Sequence, residues 1–206
     1  MAYGELLSSA IVARAIDKAI YIDAQKIIKT RREGARHTVD FTATHAAIAQ
    51  NMHALPQITV VGGFIASDAQ TGHTTNLGRG GSDYTAAIIA AALGAEVLEI
   101  WTDVDGFMTA DPRVIPTAFT IDELTYEEAT ELCNFGAKVI YPPTIFPVCK
   151  AGIPILVRNT FNPTGRYTVI RQEAAPGERL IRGISSISQT ALVTVSGMST
   201  VSYTHL

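Results

Sequence analysis

The sequence predicts an α/β fold, a three-layer sandwich with a mostly parallel sheet, and three observations carry that expectation. Apolar, β-branched runs at residues 58–67, 97–103 and 153–159 read as buried strands. Segments of helical character alternate with such strands across residues 58–170, the pattern of crossover connections between parallel strands. Between the first two runs, the stretch LGRGGSDYTAAIIAAALG at 77–94 sets a glycine-rich turn directly against a small-residue helix. Such a junction presents backbone N–H groups to anions.

Residues 5–20 place Leu6, Leu7, Ile11, Val12, Ala15, Ile16, Ala19 and Ile20 at the 3.6-residue period of a helix with one buried face. Residues 21–28 read as a short strand running into a helical turn around Asp23 and Ala24, and 31–40 as a polar connection. A weaker helical period covers 42–52. Within 58–67, Gly62 and Gly63 interrupt the strand, as they do where a chain bends toward a ligand or another backbone. Residues 68–76 form a polar hairpin or loop leading to the central turn.

In the central stretch, Gly78, Gly80 and Gly81 permit positive φ and a close approach of backbone to ligand. Ser82 is expected as the N-cap and Asp83 in the first turn; the helix is apolar nearly all round, and Gly94 ends it. The free N–H groups and positive dipole end favour phosphate or carboxylate, and Arg79 adds the same sign. A dinucleotide fingerprint is disfavoured, because Asp83 stands where its last glycine would be and Thr74, Thr75 and Asn76 precede the turn. A Walker A loop is disfavoured because no Gly-Lys-Ser/Thr closes it.

The strand at 97–103 gathers polar residues at its carboxyl end, which places Thr102, Asp103 and the loop 104–113 in the crevice where a nucleotide would lie. Asp111-Pro112-Arg113 reads as a β-turn. Thr125 and Glu128 make a capping box for a helix reaching about Asn134, with Gly136 as its stop and Lys138 soon after. A second short helix at 144–151 closes on Gly152, and 153–159 is a buried strand. A turn over 159–165 follows, and 167–170 returns as an edge strand. Charge, Pro and Gly together mark 171–182 as a linker, after which 184–196 alternates as a strand.

The bulk numbers exclude more than they identify. A chain of 206 residues, 47% hydrophobic and 17% charged, suits one soluble domain or part of a second. A net charge of -3 gives no reason to expect nucleic acid or an anionic membrane as partner. No apolar run reaches the ~18 residues of a membrane span, and no basic-then-apolar leader opens the chain, so a cytoplasmic location is expected. Cys133 and Cys149 have no CxxC pairing and no His at ligand spacing, so neither a metal site nor a disulfide is read and both are expected as buried thiols. The five histidines are expected at the surface or hydrogen-bonded locally.

The run 77–87 resembles the LGRGGSDYTA signature of the aspartokinases, within the amino acid kinase family. Four other segments match in the same order: Gly4-Glu5-Leu6, Trp101-Thr102-Asp103-Val104-Asp105-Gly106, Thr109-Ala110-Asp111-Pro112-Arg113, and Phe135-Gly136-Ala137-Lys138-Val139. The resemblance spans residues 3–200 and implies an amino acid kinase-like sandwich. It also implies transfer of the γ-phosphoryl group of ATP, with Mg²⁺, to the side-chain carboxylate of L-aspartate, a step toward lysine, threonine and methionine. Glu5 is implied to bind the substrate's amino group, and Arg79, Gly80 and Ser82 the rest of it. Arg79, Ser82 and Asp83 are implied to serve the transfer. Thr102, Asp103, Met108, Arg113, Lys138 and Val139 are implied to meet the nucleotide. Met108 stands where relatives often have Tyr, and Tyr141 where they often have His. Asp83 is expected to organise other groups rather than act as a base, because a carboxylate nucleophile has no proton to remove.

By the same resemblance, residues 1–171 are the C-terminal portion of the kinase catalytic domain, 172–183 a linker, 184–200 the first strand of an ACT-like regulatory domain, and 201–206 a non-native tail. Aspartokinases carry a Lys-Phe-Gly-Gly segment on their first strand that these residues lack, so the chain is expected to be a fragment inactive by itself. A homo-oligomer is expected of the full-length protein. Tyr141-Pro142-Pro143 and the ISSIS segment resemble bifunctional aspartokinase/homoserine dehydrogenases, which leaves mono- and bifunctional forms open. Two rival readings stand beside this one, a non-catalytic remnant that senses an amino acid and another amino acid kinase. Glu5, the WTDVDG run and the ACT-like start speak against the second.

Overall fold

A computed structural model describes residues 2–53, 58–174 and 181–187. The first part runs through α1 (Ala2–Ala15), β1 (Ile20–Ile22), α2 (Ala24–Ile27), β2 (Lys29–Glu33), β3 (Arg36–Val39) and α3 (Phe41–Asn51). Asp23 and Asp40 cap α2 and α3, their carboxylates accepting the N–H of Gln25 and of Ala43, both at 2.9 Å. The chain continues through β4 (Thr59–Val61), β5 (Ile65–Asp68), β6 (Thr74–Asn76), α4 (Gly81–Leu93), β7 (Leu98–Thr102), β8 (Glu123–Thr125) and α5 (Tyr126–Asn134). A 3₁₀ turn, Pro142–Thr144, leads into α6 (Ile145–Ala151), and β9 (Ile155–Asn159) and β10 (Thr168–Arg171) follow.

The strands form a parallel pair β1-β4, a sheet ordered β3-β2-β5-β6 and a sheet ordered β7-β9-β10-β8. Among the described residues four of the seven ladders are parallel, so the mixed α/β, parallel-rich architecture is the one expected. Four local expectations are corrected. The polar stretch 31–40 is a hairpin, in which buried Thr30 and Val39 pair across from each other while Arg31, Arg32 and Glu33 stay exposed. The run 58–67 is two strands in different sheets, parted at Gly62 and Gly63. The return strand β10 is no edge, because it lies between β9 and the short β8.

The fourth correction concerns α1, which is helical as its period predicts but buries the other face. Ser9 and Ala13 are its buried positions, while Tyr3, Leu7 and Ile11 are 81%, 65% and 67% exposed. The buried face packs closely beside β4: a Cβ at Gly62 would lie 2.8 Å from Ser9 Oγ. The strand expected from 184 onward begins in a segment, 181–187, without regular structure. Linker residues 175–180, and the rest of the ACT-like strand and tail at 188–206, lie outside the described residues.

Two cores meet at α4. Ala87 and Ala90 join Leu98, Ile100, Ile155 and Val157 beneath the β7 sheet, while Ile88 joins Ile27, Ile28, Ile48 and Ala66 beneath the β5 sheet. A helix buried on both sides cannot be amphipathic, which accounts for its all-round apolar sequence. Cys133 and Cys149 are partly rather than fully buried, packed against the first core.

Candidate active site

The glycine turn and the first turn of α4 form the centre of the site. Gly80 is the residue preceding α4 and has φ 74°, a left-handed conformation that costs glycine nothing. A side chain there is excluded as well, since a Cβ would fall 2.4 Å from Tyr141 Cβ. No side chain caps α4, so the expectation that Ser82 is the N-cap is corrected: it is the second helical residue, and exposed. The consequence favours a ligand, because the first N–H groups of α4 have no side-chain acceptor of their own. Arg79 is exposed beside them.

Asp83 is half-buried in that first turn. Burial pushes its carboxyl pKa up, and the backbone N–H of Tyr141, which the carboxylate accepts, partly offsets this. The Tyr84 and Tyr141 rings stand edge-to-face with centroids 6.3 Å apart. The segment just after Lys138 and Val139 is thus seated on the glycine turn, a link for which the sequence offered only the adjacency of Tyr141 to the FGAKV run.

A cleft of about 500 Å³ runs along α4, and both Glu5 of α1 and Ser82 of α4 line it, with Gly63, Thr59 and Thr85 beside them. Remote in sequence, Glu5 and Ser82 therefore share one concavity. Gly63 makes that possible: a Cβ on it would come within 2.7 Å of Ser82 Cα.

The residues expected to meet the nucleotide do not line this cleft. Thr102 sits at the carboxyl end of β7, its hydroxyl 3.3 Å from the carboxylate of exposed Asp103. The loop that follows is pinned by Phe107, whose N–H donates to Thr168 Oγ1 at 2.8 Å, and by Asp105, which accepts from Asn159 Nδ2 at 2.8 Å. Met108 bridges to Thr120. Arg113 is exposed and engages Asp111 through two nitrogens, Nη2 at 2.7 Å and Nε at 3.0 Å. That guanidinium and the turn's own N–H hold the Asp111 carboxyl down at about 2. Lys138 is exposed and Val139 half-buried against the first core.

Sequence reasoning missed Phe64 and Thr85. Phe64 has φ 71°, an outlier for a bulky residue, and the only signal was the Gly62-Gly63 pair before it. Thr85 hides within an apolar helix. Among the described residues no group of three or more His, Cys, Asp and Glu side chains could hold a metal ion. No helix among them is long and apolar enough to cross a membrane.

A sequence profile of the amino acid kinase family matches residues 1–159. The chain is 44% identical over 141 residues to a bifunctional aspartokinase/homoserine dehydrogenase of Haemophilus influenzae, covering 68% of this chain and 17% of that one. It is 38% identical over 178 residues to the lysine-sensitive aspartokinase 3 of Escherichia coli, covering 82% of this chain and 39% of that one. The crystal structure of E. coli aspartokinase III in complex with aspartate and ADP superimposes with a TM-score of 0.77 at 37% identity, over 84% of this chain and 40% of that one. The chain thus spans less than half the length of each of these relatives. With the profile matching most of its residues and the fold agreeing, the chain belongs to the amino acid kinase family.

Proposed function

We propose that the chain is the portion of an aspartate kinase that grips L-aspartate and the phosphates of ATP, and that the γ-phosphoryl group passes to the aspartate side-chain carboxylate. The observation that carries this reading is the convergence of Glu5 and Ser82 on one cleft beside the N-terminus of α4. The Glu5 carboxylate answers an ammonium group, and the uncapped N–H groups at the start of α4 answer carboxylate or phosphoryl oxygens, while Val61, Ile89 and Leu93 leave the rest of the cleft apolar. The similarity to an E. coli enzyme crystallised with aspartate and ADP supports the same pair of ligands.

In this reading Glu5 holds the substrate amine, while Arg79, Gly80 and Ser82 hold its carboxylates and the transferring group. An oxygen of the aspartate side chain bonds to the γ-phosphorus as the bond to the ADP oxygen breaks, and no proton needs removal. ATP enters as its magnesium complex, whose ion neutralises part of the phosphate charge. Lys138 and Val139 meet the phosphates, with Thr102, Asp103, Met108 and Arg113 along the nucleotide. Arg113 exchanges its partner Asp111 for phosphate when it does so. Asp83, tied to the Tyr141 N–H, keeps the segment after Lys138 in register with the turn. Residues 1–171 are proposed as the C-terminal portion of the catalytic domain, 172–183 as linker and 184–200 as the start of an ACT-like regulatory domain.

The test is ADP release by the full-length protein with L-aspartate, L-glutamate, N-acetylglutamate or a nucleoside monophosphate as acceptor, with hydroxylamine trapping the acyl phosphate. Aspartate alone is expected to give ADP and hydroxamate together. Turnover of another acceptor, with aspartate inert, would overturn the assignment.

A further inference from the structure

Thr85 is 2% exposed in the interior of α4, and its hydroxyl is fully engaged. It donates to the carbonyl of Gly81 at 2.8 Å and accepts the N–H of Phe64 at 3.0 Å. The carbonyl of Phe64 in turn accepts the N–H of Leu77 at 2.9 Å. Both backbone groups of Phe64 are therefore spent on the glycine turn, one on the helix that leaves it and one on the strand that enters it. Phe64 makes these bonds at φ 71°, a left-handed conformation that is strained for a bulky residue and persists where surrounding contacts impose it. The fit is tight, since a Cβ on Gly81 would lie 3.2 Å from Phe64 Cα.

We propose that Thr85, acting through Phe64, is a positioning residue that braces the glycine turn and the first turn of α4 in the geometry phosphoryl transfer requires. The inference rests on the functional reading above, since it is that reading which places substrate at Ser82 and Gly80. Thr85 lines the same cleft as Glu5 and Ser82, but its hydroxyl is committed to backbone partners, so it acts on them rather than on the ligand. Without the hydroxyl, the N–H of Phe64 loses its partner and one of the contacts that hold φ positive is gone. Once it relaxes toward negative φ, its carbonyl swings away from Leu77 and the turn loses both supports.

The experiment compares Thr85→Val, which keeps shape and removes the hydroxyl, with Thr85→Ser, which keeps the hydroxyl. Amide hydrogen exchange at Leu77 and steady-state kinetics in the full-length protein are the readouts. Thr85→Val is expected to speed exchange at Leu77 and lower kcat/KM for aspartate by about 10- to 100-fold, because misplacing reacting groups by about 1 Å has effects up to that order. Thr85→Ser is expected to restore both. Equal impairment of the two variants, or unchanged exchange at Leu77 in Thr85→Val, would overturn the proposal. Should Thr85→Val fail to fold, Thr85→Ala removes the hydroxyl without adding a methyl group beside Phe64 and carries the same comparison. If the unsubstituted protein did not phosphorylate aspartate, the functional reading would fall, while exchange at Leu77 would still decide whether the brace exists.

Discussion

Gly63→Ala tests the bend that lets the cleft form. The added Cβ would lie 2.7 Å from Ser82 Cα and 2.8 Å from Ser82 Cβ, against the 3.4 Å at which ordinary contact begins, a shortfall of about 0.7 Å. Neither partner is a flexible side-chain end, so the bend or the first turn of α4 must move. Overpacking of this kind costs about 1–3 kcal/mol. For a chain of this size each kcal/mol lowers Tm by about 2–4 °C, so a fall of roughly 2–12 °C is expected in thermal unfolding followed by circular dichroism. The displacement falls on the residue that carries Ser82, so kcat/KM for aspartate is expected to drop by about 10- to 100-fold in the full-length protein. Gly4→Ala is the control for stability: nothing lies within 4 Å of its added Cβ, and replacing a helical glycine gains about 0.5–1 kcal/mol. Unchanged Tm together with unchanged kcat/KM in Gly63→Ala would refute the packing of the bend on α4.

Asp83→Asn is expected to lower kcat by at least about 10²-fold, the scale seen when a preorganised group is removed from such a site. It should also stabilise the fold at neutral pH. The folded-state pKa of Asp83 is raised, so the unfolded chain ionises first as pH rises, and the wild type loses stability from the unfolded pKa upward. Melting curves should therefore favour the variant at pH 7 and converge below the usual carboxylate range; a variant less stable at pH 7 would contradict the burial cost. Glu5→Ala should raise KM for aspartate and spare ATP, and Lys138→Ala the reverse, as initial rates with each substrate varied would tell; equal effects on both substrates would remove these assignments. Burial pushes the Cys133 thiol up to about 11, so its alkylation by iodoacetamide at pH 8 should run at least tenfold slower than that of a free thiol of pKa ~8.5.

What could be read from the letters was local in its physics. The Thr125–Glu128 capping box forms both of its reciprocal bonds, at 3.1 and 2.8 Å, because both partners lie within one helical turn. The Asp111 turn and the left-handed glycine after α6 are likewise decided by neighbours in sequence. The hairpin β2-β3 was not legible, since Arg31, Arg32 and Glu33 carry no strand pattern and take their conformation from pairing. Nor was β8, three residues whose place beside β10 is set by the far end of the chain. At the site the same division holds. Glycines announced the turn, but Phe64 and Thr85 meet across 21 positions and Tyr141 closes on Gly80 from 61 away, so the residues that shape the turn look unremarkable where they stand.

The all-round apolar sequence of α4 also bears on the chemistry. A helix with one apolar stripe is fixed by one core and can rock about that contact; α4 is fixed by two, through Ala87 and Ala90 on one side and Ile88 on the other. Its N-terminus is then a fixed end, and anything that must be held steady at the cleft gains from being attached there. Ser82 and Asp83 are attached there directly. Tyr141 reaches the same end by its bond to Asp83, and Phe64 by its bond to Thr85. The two loops that carry Phe64 and Tyr141 are therefore referred to one rigid element, so that their backbones keep their relative positions at the cleft without having to touch each other.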